Sequence, residues 1–149
     1  MVYIGSDHGG FDLKNELKDF LNELKYEIED LGAHEKVMDD DYPDFVIPVA
    51  QKVAQTGGFG IVIGRSGVGE SITANKVKGV RAVVCRDTQD AKLAREKNDA
   101  NVVSLGADFT DSATAKDIVK VFLETQFSRD ERHARRVEKI NVYELAHSK

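Results

Sequence analysis

Short apolar segments alternate with longer amphipathic segments along most of the chain. The apolar segments are rich in β-branched residues and end at glycine or polar residues, which is typical of buried parallel strands. They are VYIGS at 2–6, YEIEDLG at 26–32, FGIVIG at 59–64, RAVVC at 81–85 and NVVSLG at 101–106. The pattern therefore predicts five strands.

The segments between these strands carry apolar residues at helical spacing. One helical face collects Leu13, Leu17, Phe20, Leu21 and Leu24, another Phe45, Val46, Val49, Ala50 and Val53, and a third Ala115, Ile118, Val119, Phe122 and Leu123. Shorter helices are predicted over 70–77 and 88–98. Pro43 suits the first turn of a helix, and Asp111 or Ser112 can cap another. Ser128 and Glu131 have the spacing of a capping box for the last helix.

Strands and helices in alternation predict an α/β fold. We expect a Rossmann-like open, mostly parallel five-stranded sheet with helices on both faces and a C-terminal helix. We find no linker or repeat, so residues 1–149 are expected to form a single domain. Ligands of such sheets bind beyond the carboxyl ends of the strands. Four segments of this chain lie at the carboxyl ends of predicted strands. They are GSDHGG at 5–10, the loop at 64–70, CRDT at 85–88 and LGAD at 105–108.

Composition narrows the function further. The net charge is -5, and only residues 129–139 are locally basic, so we expect no nucleic-acid partner. We find no apolar run that could cross a membrane, and a single cysteine, Cys85, fits a reducing compartment. A cytoplasmic protein without a membrane partner is expected. The four histidines and Cys85 lack the spacing of metal ligands, so no bound metal is predicted.

The segment GRSGVGES at 64–71 departs from the phosphate-binding pattern G-x-x-x-x-G-K-[ST] because Glu70 occupies the lysine position. A carboxylate there repels nucleotide phosphates. The glycines also fit a tight β-α turn. We favour a chemical role, in which N–H groups of residues 66–69 stabilise an oxyanion while Glu70 moves a proton. A helix N-terminus lowers the pKa of Glu70 and burial raises it, and the sequence does not decide between them.

Three other features have both a structural and a functional interpretation. Asp7 and His8 follow the first predicted strand, where turn hydrogen bonds and ligand contacts both occur. Arg132 and Arg136 share a helical face that suits a phosphate monoester, although ion pairs on a solvated helix explain the spacing as well. Cys85 ends an apolar strand, and we interpret it as a buried residue rather than a nucleophile.

Five segments resemble the type B ribose-5-phosphate isomerases, whose wider family includes galactose-6-phosphate isomerase subunits. They are GSDHGGFDLK at 5–14, DYPDF at 41–45, GRSGVGESITANKVKGVRAVVC at 64–85, REKNDANVVSLG at 95–106 and RHARRVEKI at 132–140. Their order and spacing match over nearly the whole chain. The resemblance implies an aldose–ketose isomerase of the pentose phosphate pathway that needs no cofactor or metal. It also implies a homodimer or homotetramer with the active site at the dimer interface.

The reaction that the resemblance implies begins with opening of the sugar ring. A base then removes the proton next to the carbonyl, a cis-enediolate forms, and the same base returns the proton to the neighbouring carbon. One branch of the family uses a cysteine at the position of Gly64, and the other uses a glutamate at the position of Glu70, which this chain resembles. The resemblance implies that Asp7 and His8 contact the sugar or its phosphate and that Tyr42 lines the pocket. It also implies an anion hole formed by Ser66, Gly67, Val68 and Gly69, a sugar contact for Asn98, and phosphate contacts for Arg132 and Arg136.

Three residues depart from the family pattern. Lys97 occupies the position of a histidine that assists ring opening, which makes Lys97 a candidate catalytic residue. Asp108 occupies the position of a phosphate-binding arginine, and Arg65 that of a glycine. We hypothesise that Arg65 compensates for Asp108, by pairing with it or by contacting the phosphate. In the rival hypothesis the phosphate lies elsewhere or the substrate is not the usual pentose phosphate.

We therefore expect an isomerase that interconverts D-ribose 5-phosphate and D-ribulose 5-phosphate with Glu70 as base. One alternative is an isomerase of a free sugar or of a hexose phosphate such as allose 6-phosphate or galactose 6-phosphate. Another is a non-catalytic sugar-phosphate-binding protein. Glu70 argues against the last alternative, because a site that only binds an anion gains nothing from a carboxylate.

Overall fold

The computed structural model describes residues 1–148, which form a single sheet with flanking helices. The strands are β1 (Val2–Ser6), β2 (Ile28–Asp30), β3 (Phe59–Gly64), β4 (Ala82–Val84) and β5 (Val102–Gly106). The helices are α1 (Phe11–Glu23), α2 (Pro43–Thr56), α3 (Val68–Ala74), α4 (Thr88–Asn98), α5 (Ser112–Glu124) and α6 (Glu131–His147), with a 3-10 turn at His8–Gly10. The strand order is β2-β1-β3-β5-β4, and every pairing is parallel. The predicted Rossmann-like fold is confirmed.

Successive side chains of a strand point to opposite faces of the sheet, so the hydrophobic core has two parts, one on each face. Ile4, Ile61 and Ile63 pack with α1, α4 and α5 on one face. Tyr3 and Val62 pack with α2 and α3 on the other. Since α1 and α2 lie on opposite faces, the chain leaves a crevice where β1 and β3 end side by side.

Two predicted helix starts are wrong. Helix α3 begins at Val68 rather than residue 70, so Glu70 lies in its first turn. Helix α6 begins at Glu131 with Asp130 as its N-cap, and no capping box forms. The Ser128 hydroxyl instead accepts a hydrogen bond from the Asp130 N–H and contacts the His133 ring at 3.0 Å. The predicted starts at Pro43 and after Asp111 are confirmed.

Helix α6 packs mainly on α4, and much of its surface is uncovered. Its buried side chains are His133 and Val137, whereas Ile140, Tyr143 and Leu145 are more than half exposed. No helix within residues 1–148 is long and apolar enough to span a membrane.

A buried ion pair anchors the loop that follows β2. The Lys14 ammonium is fully buried and donates to Asp30 Oδ1 at 2.8 Å and to the Ala33 carbonyl at 2.5 Å. Asp30 also accepts from Lys18 at 2.7 Å. Burial lowers the pKa of Lys14. Burial opposes ionisation of Asp30, but hydrogen bonds from Lys14 and Lys18 lower its pKa. The pair ties α1 to the loop that leads to Tyr42.

Replacing Asp30 tests this anchor. We expect Asp30→Asn to lower the free energy of unfolding by about 3 kcal/mol, because it leaves the buried Lys14 ammonium without a counter-charge. The matched control, Asp12→Asn, removes the exposed pair with Lys36 and is expected to cost less than about 1 kcal/mol. Urea denaturation measures both, and equal losses would contradict the assignment.

Candidate active site

The crevice between the ends of β1 and β3 contains most of the predicted site residues. These two strands run side by side, with Ser6 opposite Ile63, and the strand order reverses direction here. Open parallel sheets bind ligands at such points. A cavity of about 380 Å³ lies there, which we call the Glu70 cavity. It is lined by Asp7, His8, Tyr42, Arg65, Ser66, Val68, Gly69 and Glu70.

The loop between β3 and α3 is built around Gly67. This residue adopts a left-handed conformation with φ of 79°, and its carbonyl accepts from the buried Ser104 hydroxyl at 2.6 Å. A Cβ at position 67 would lie 2.9 Å from the Leu105 carbonyl carbon. A Cβ at Gly69 would lie 2.5 Å from the Tyr42 hydroxyl. The glycines therefore let the loop pack against β5 and Tyr42.

Glu70 is 3% exposed, and its carboxylate occupies the space directly above Gly64. A Cβ at position 64 would overlap Oε1 of Glu70. Burial is the main cause that raises the pKa of Glu70, and the charge of Asp7 adds to it, while the Glu70 and Gly67 N–H groups oppose the rise. The competition that the sequence left open is thus resolved in favour of burial. A raised pKa makes Glu70 a stronger base than an exposed glutamate.

Asp7 and His8 face Glu70 across the same cavity, and the structure adds Asp40 to them. Asp7 is 6% exposed and accepts from the Gly9 N–H at 2.9 Å. Burial raises the pKa of Asp7. The His8 ring nitrogen Nδ1 lies 2.6 Å from Asp40 Oδ1. Sequence reasoning missed Asp40, because it is 32 residues away in a polar loop without periodicity.

Within residues 1–148, one group of side chains has a spacing that could suit a metal ion. It consists of Asp7, His8 and Asp40. One potential ligand atom from each lies within 4.8 Å of the others. The contact between His8 Nδ1 and Asp40 already uses one ligand atom of each residue. The geometry is that of a hydrogen-bonded carboxylate–imidazole pair, which explains the proximity without an ion.

A second cavity, of about 260 Å³, lies between the end of α4 and the start of α6. We call it the arginine cavity, and its lining residues are Lys97, Asn98, Arg132, His133 and Arg136. His133, which the sequence reasoning did not select, is 6% exposed and contacts Ser128. The Ser128 N–H donates to the Glu96 carbonyl at 3.0 Å. These contacts hold α6 against the end of α4 and keep the cationic side chains together.

The predicted site residues thus fall into two groups on one chain. Lys97, Asn98, Arg132 and Arg136 line a cavity separate from that of Glu70. Arg65 and Asp108 form the predicted pair, with Nε to Oδ2 at 2.9 Å. Both side chains are about half exposed or more, so the pair contributes little to stability. Its effect is to neutralise the charge of Arg65 at the mouth of the Glu70 cavity.

The parallel sheet and the buried Glu70 carboxylate, which lies where the strand order reverses direction, define the class: an α/β protein with a candidate group for acid–base chemistry. The sequence model described as "Ribose/Galactose Isomerase" matches residues 2–140. The chain belongs to this ribose/galactose isomerase family.

Relatives match over nearly their full length. Ribose-5-phosphate isomerase B of Mycobacterium tuberculosis is 42% identical over 147 residues, which cover 98% of this chain and 91% of that protein. The structure of Clostridium thermocellum ribose-5-phosphate isomerase B superposes with a TM-score of 0.94 at 45% identity, covering 99% of both chains. The Mycoplasma genitalium enzyme, solved with bound ribulose-5-phosphate, has a TM-score of 0.93 at 39% identity, covering 97% of this chain and 95% of that chain.

Cys85 can be tested separately as a reactive group. It is fully buried, and burial raises its pKa to about 12, with Asp90 and Asp87 adding to the rise. We expect the thiol to be unreactive toward a thiol-specific disulfide reagent in the folded protein at neutral pH, because the thiolate is the nucleophile. The same reagent should modify it fully in denaturant. Rapid labelling of folded protein would contradict its burial.

Proposed function

We propose that the protein interconverts ribose 5-phosphate and ribulose 5-phosphate, with Glu70 as the base. The observation that carries this proposal is the burial of the Glu70 carboxylate at the switch point of the sheet. The names of the relatives support the substrate. We further propose that residues 1–149 act as one domain, in the cytoplasm and without a cofactor or metal.

Glu70 would move a single proton between two neighbouring carbons. In the open aldose it removes the proton from C2, and the electron pair forms the enediolate as the carbonyl oxygen becomes an oxyanion. A proton passes from the C2 hydroxyl to the C1 oxyanion, so that C2 becomes the carbonyl carbon, and return of the abstracted proton to C1 gives the ketose. One carboxylate can serve both carbons because they are adjacent on one face of the substrate. The raised pKa of Glu70 favours this role, since general bases work best with a pKa near the operating pH.

The loop at 66–69 would stabilise the enediolate. Glycine at 67 and 69 leaves the backbone accessible, so its N–H groups can approach the developing oxyanion. The Ser66 hydroxyl accepts from the Val68 N–H at 3.2 Å, which shapes the turn. Tyr42 packs on Gly69 and forms the cavity wall. The sugar would thus lie between the loop and the side chains of Asp7 and His8.

The phosphate would bind in the arginine cavity of a second copy of the chain. Lys97, Arg132 and Arg136 supply positive charge there, and Asn98 a hydrogen-bonding amide. A single chain keeps this cavity separate from Glu70. The exposed apolar residues Ile72 and Tyr143, at 58% and 67% exposure, are consistent with a covered interface. We therefore propose a homodimer, or a tetramer of such dimers, with composite sites.

Replacing Glu70 tests the base. We expect Glu70→Gln to lower turnover of ribose 5-phosphate by at least ~10²-fold, because the amide cannot accept the proton. The Michaelis constant should change much less. Glu23→Gln, at an exposed position of α1, is the matched control and should retain activity. Full turnover by folded Glu70→Gln would remove Glu70 from the mechanism.

Mixing two inactive variants tests the composite site. Glu70→Gln and Arg136→Ala are each expected to be nearly inactive. Unfolding and refolding them together at equal concentration should restore about a quarter of wild-type activity, because half of the dimers are hybrids with one intact site each. If Glu70 and Arg136 of the same chain act together, no hybrid has an intact site. The mixture would then stay inactive, which would contradict the composite site.

A further inference from the structure

His8 and Asp40 form a shielded, tightly held pair. Asp40 Oδ1 lies 2.6 Å from Nδ1 of the ring and also accepts the backbone N–H of His8 at 3.0 Å. The side chains of His8 and Asp40 are 21% and 12% exposed. A carboxylate in this position keeps the proton on Nδ1 and fixes the plane of the ring. In the neutral form of the ring, the other nitrogen, Nε2, then carries a free lone pair.

The pair lies beside the candidate base. His8 lines the Glu70 cavity together with Asp7 and Glu70, and the charge of Asp7 acts on Glu70. Lys97, the other candidate for acid–base work, lies on this chain among cations in the arginine cavity. Its neighbours there are Arg132 and Arg136, an environment that suits anion binding rather than proton exchange.

The proposed substrate needs acid–base chemistry before Glu70 can act. Ribose 5-phosphate closes a furanose ring between C1 and the oxygen on C4, which hides the aldehyde. Ring opening must move a proton from the C1 hydroxyl to that ring oxygen. Both oxygens are bonded to C1, so one correctly placed nitrogen can reach both. A neutral imidazole oriented by a carboxylate is well suited to such a transfer.

We propose that His8 opens the sugar ring and that Asp40 positions the His8 imidazole for this step. This inference rests on the proposed function. Nε2 takes the proton of the C1 hydroxyl, and the oxygen's electrons form the C1 carbonyl. The bond between C1 and the ring oxygen breaks, and its electron pair stays on that oxygen. The imidazolium then returns the proton to the ring oxygen, which becomes the C4 hydroxyl. His8 ends neutral and the aldehyde is ready for Glu70.

Ribulose 5-phosphate separates ring opening from proton abstraction. Its 5-hydroxyl is esterified, so it cannot close a furanose ring and needs no opening. Glu70 can exchange its C1 proton with deuterium from heavy water without help from His8. Nuclear magnetic resonance of ribulose 5-phosphate at saturating concentration measures this exchange. A coupled assay measures turnover of ribose 5-phosphate.

We expect His8→Asn to lower ribose 5-phosphate turnover by at least ~10²-fold. Asp40→Asn should lower it by at least about tenfold, because the amide no longer fixes the tautomer and orientation of the ring. At saturating ribulose 5-phosphate, both variants should lose far less deuterium exchange than ribose 5-phosphate turnover. Asp39→Asn, an exposed neighbour with the same charge change, is the control and should match wild type in both assays.

Other outcomes overturn the proposal. Equal loss of turnover and exchange in His8→Asn would mean that His8 binds substrate or assists Glu70 instead. Unchanged turnover would exclude it from ring opening, and a selective loss of turnover in Lys97→Met would assign the step to Lys97. Failure of the proposed function gives a different result, because wild-type protein would then show neither reaction.

Discussion

The site depends on one steric constraint, which is that residues 64 and 70 cannot both place a side chain in the same space. The Glu70 carboxylate fits above the end of β3 because Gly64 has no Cβ to collide with it. The left-handed turn at Gly67 then brings the first turn of α3 back over the strand. This geometry gives a physical reason why a side chain at position 64 and a carboxylate at position 70 exclude one another.

Burial of that carboxylate also sets the electrostatics of the cavity. Asp7 and Glu70 are both nearly inaccessible and both have a raised pKa, and the charge of Asp7 disfavours ionisation of Glu70. The cations that could balance a sugar phosphate lie elsewhere on the chain, around Arg132 and Arg136. In the proposed dimer an acidic half-site and a basic half-site would meet, so that neither copy alone binds and converts substrate. Charge separation of this kind also steers an anionic substrate to the interface.

Much of the fold could be predicted from local pattern, because most of the strands are largely apolar runs and the longer helices have an apolar face. The place of Glu70 after the glycine loop could be predicted from the sequence, and the pair of Arg65 with Asp108 from the departure of both residues from the family pattern. Asp40 and His133 could not be predicted, because their importance comes from contacts made after folding. The direction of the Glu70 pKa shift could not be predicted either, because it follows from burial of the folded carboxylate over Gly64 at the end of β3, which outweighs the N–H groups of Gly67 and Glu70. The false capping box arose because Ser128 bonds to His133 instead.

Turnover of ribose 5-phosphate by Gly64→Ala tests the central constraint most directly. The added methyl group would occupy the space of Oε1 and displace the Glu70 carboxylate without changing any ionisable group. We expect a loss of at least ~10²-fold in turnover, comparable to removal of the base itself, in protein that remains folded by circular dichroism. Wild-type turnover by folded Gly64→Ala would show that catalysis does not need the carboxylate at this position.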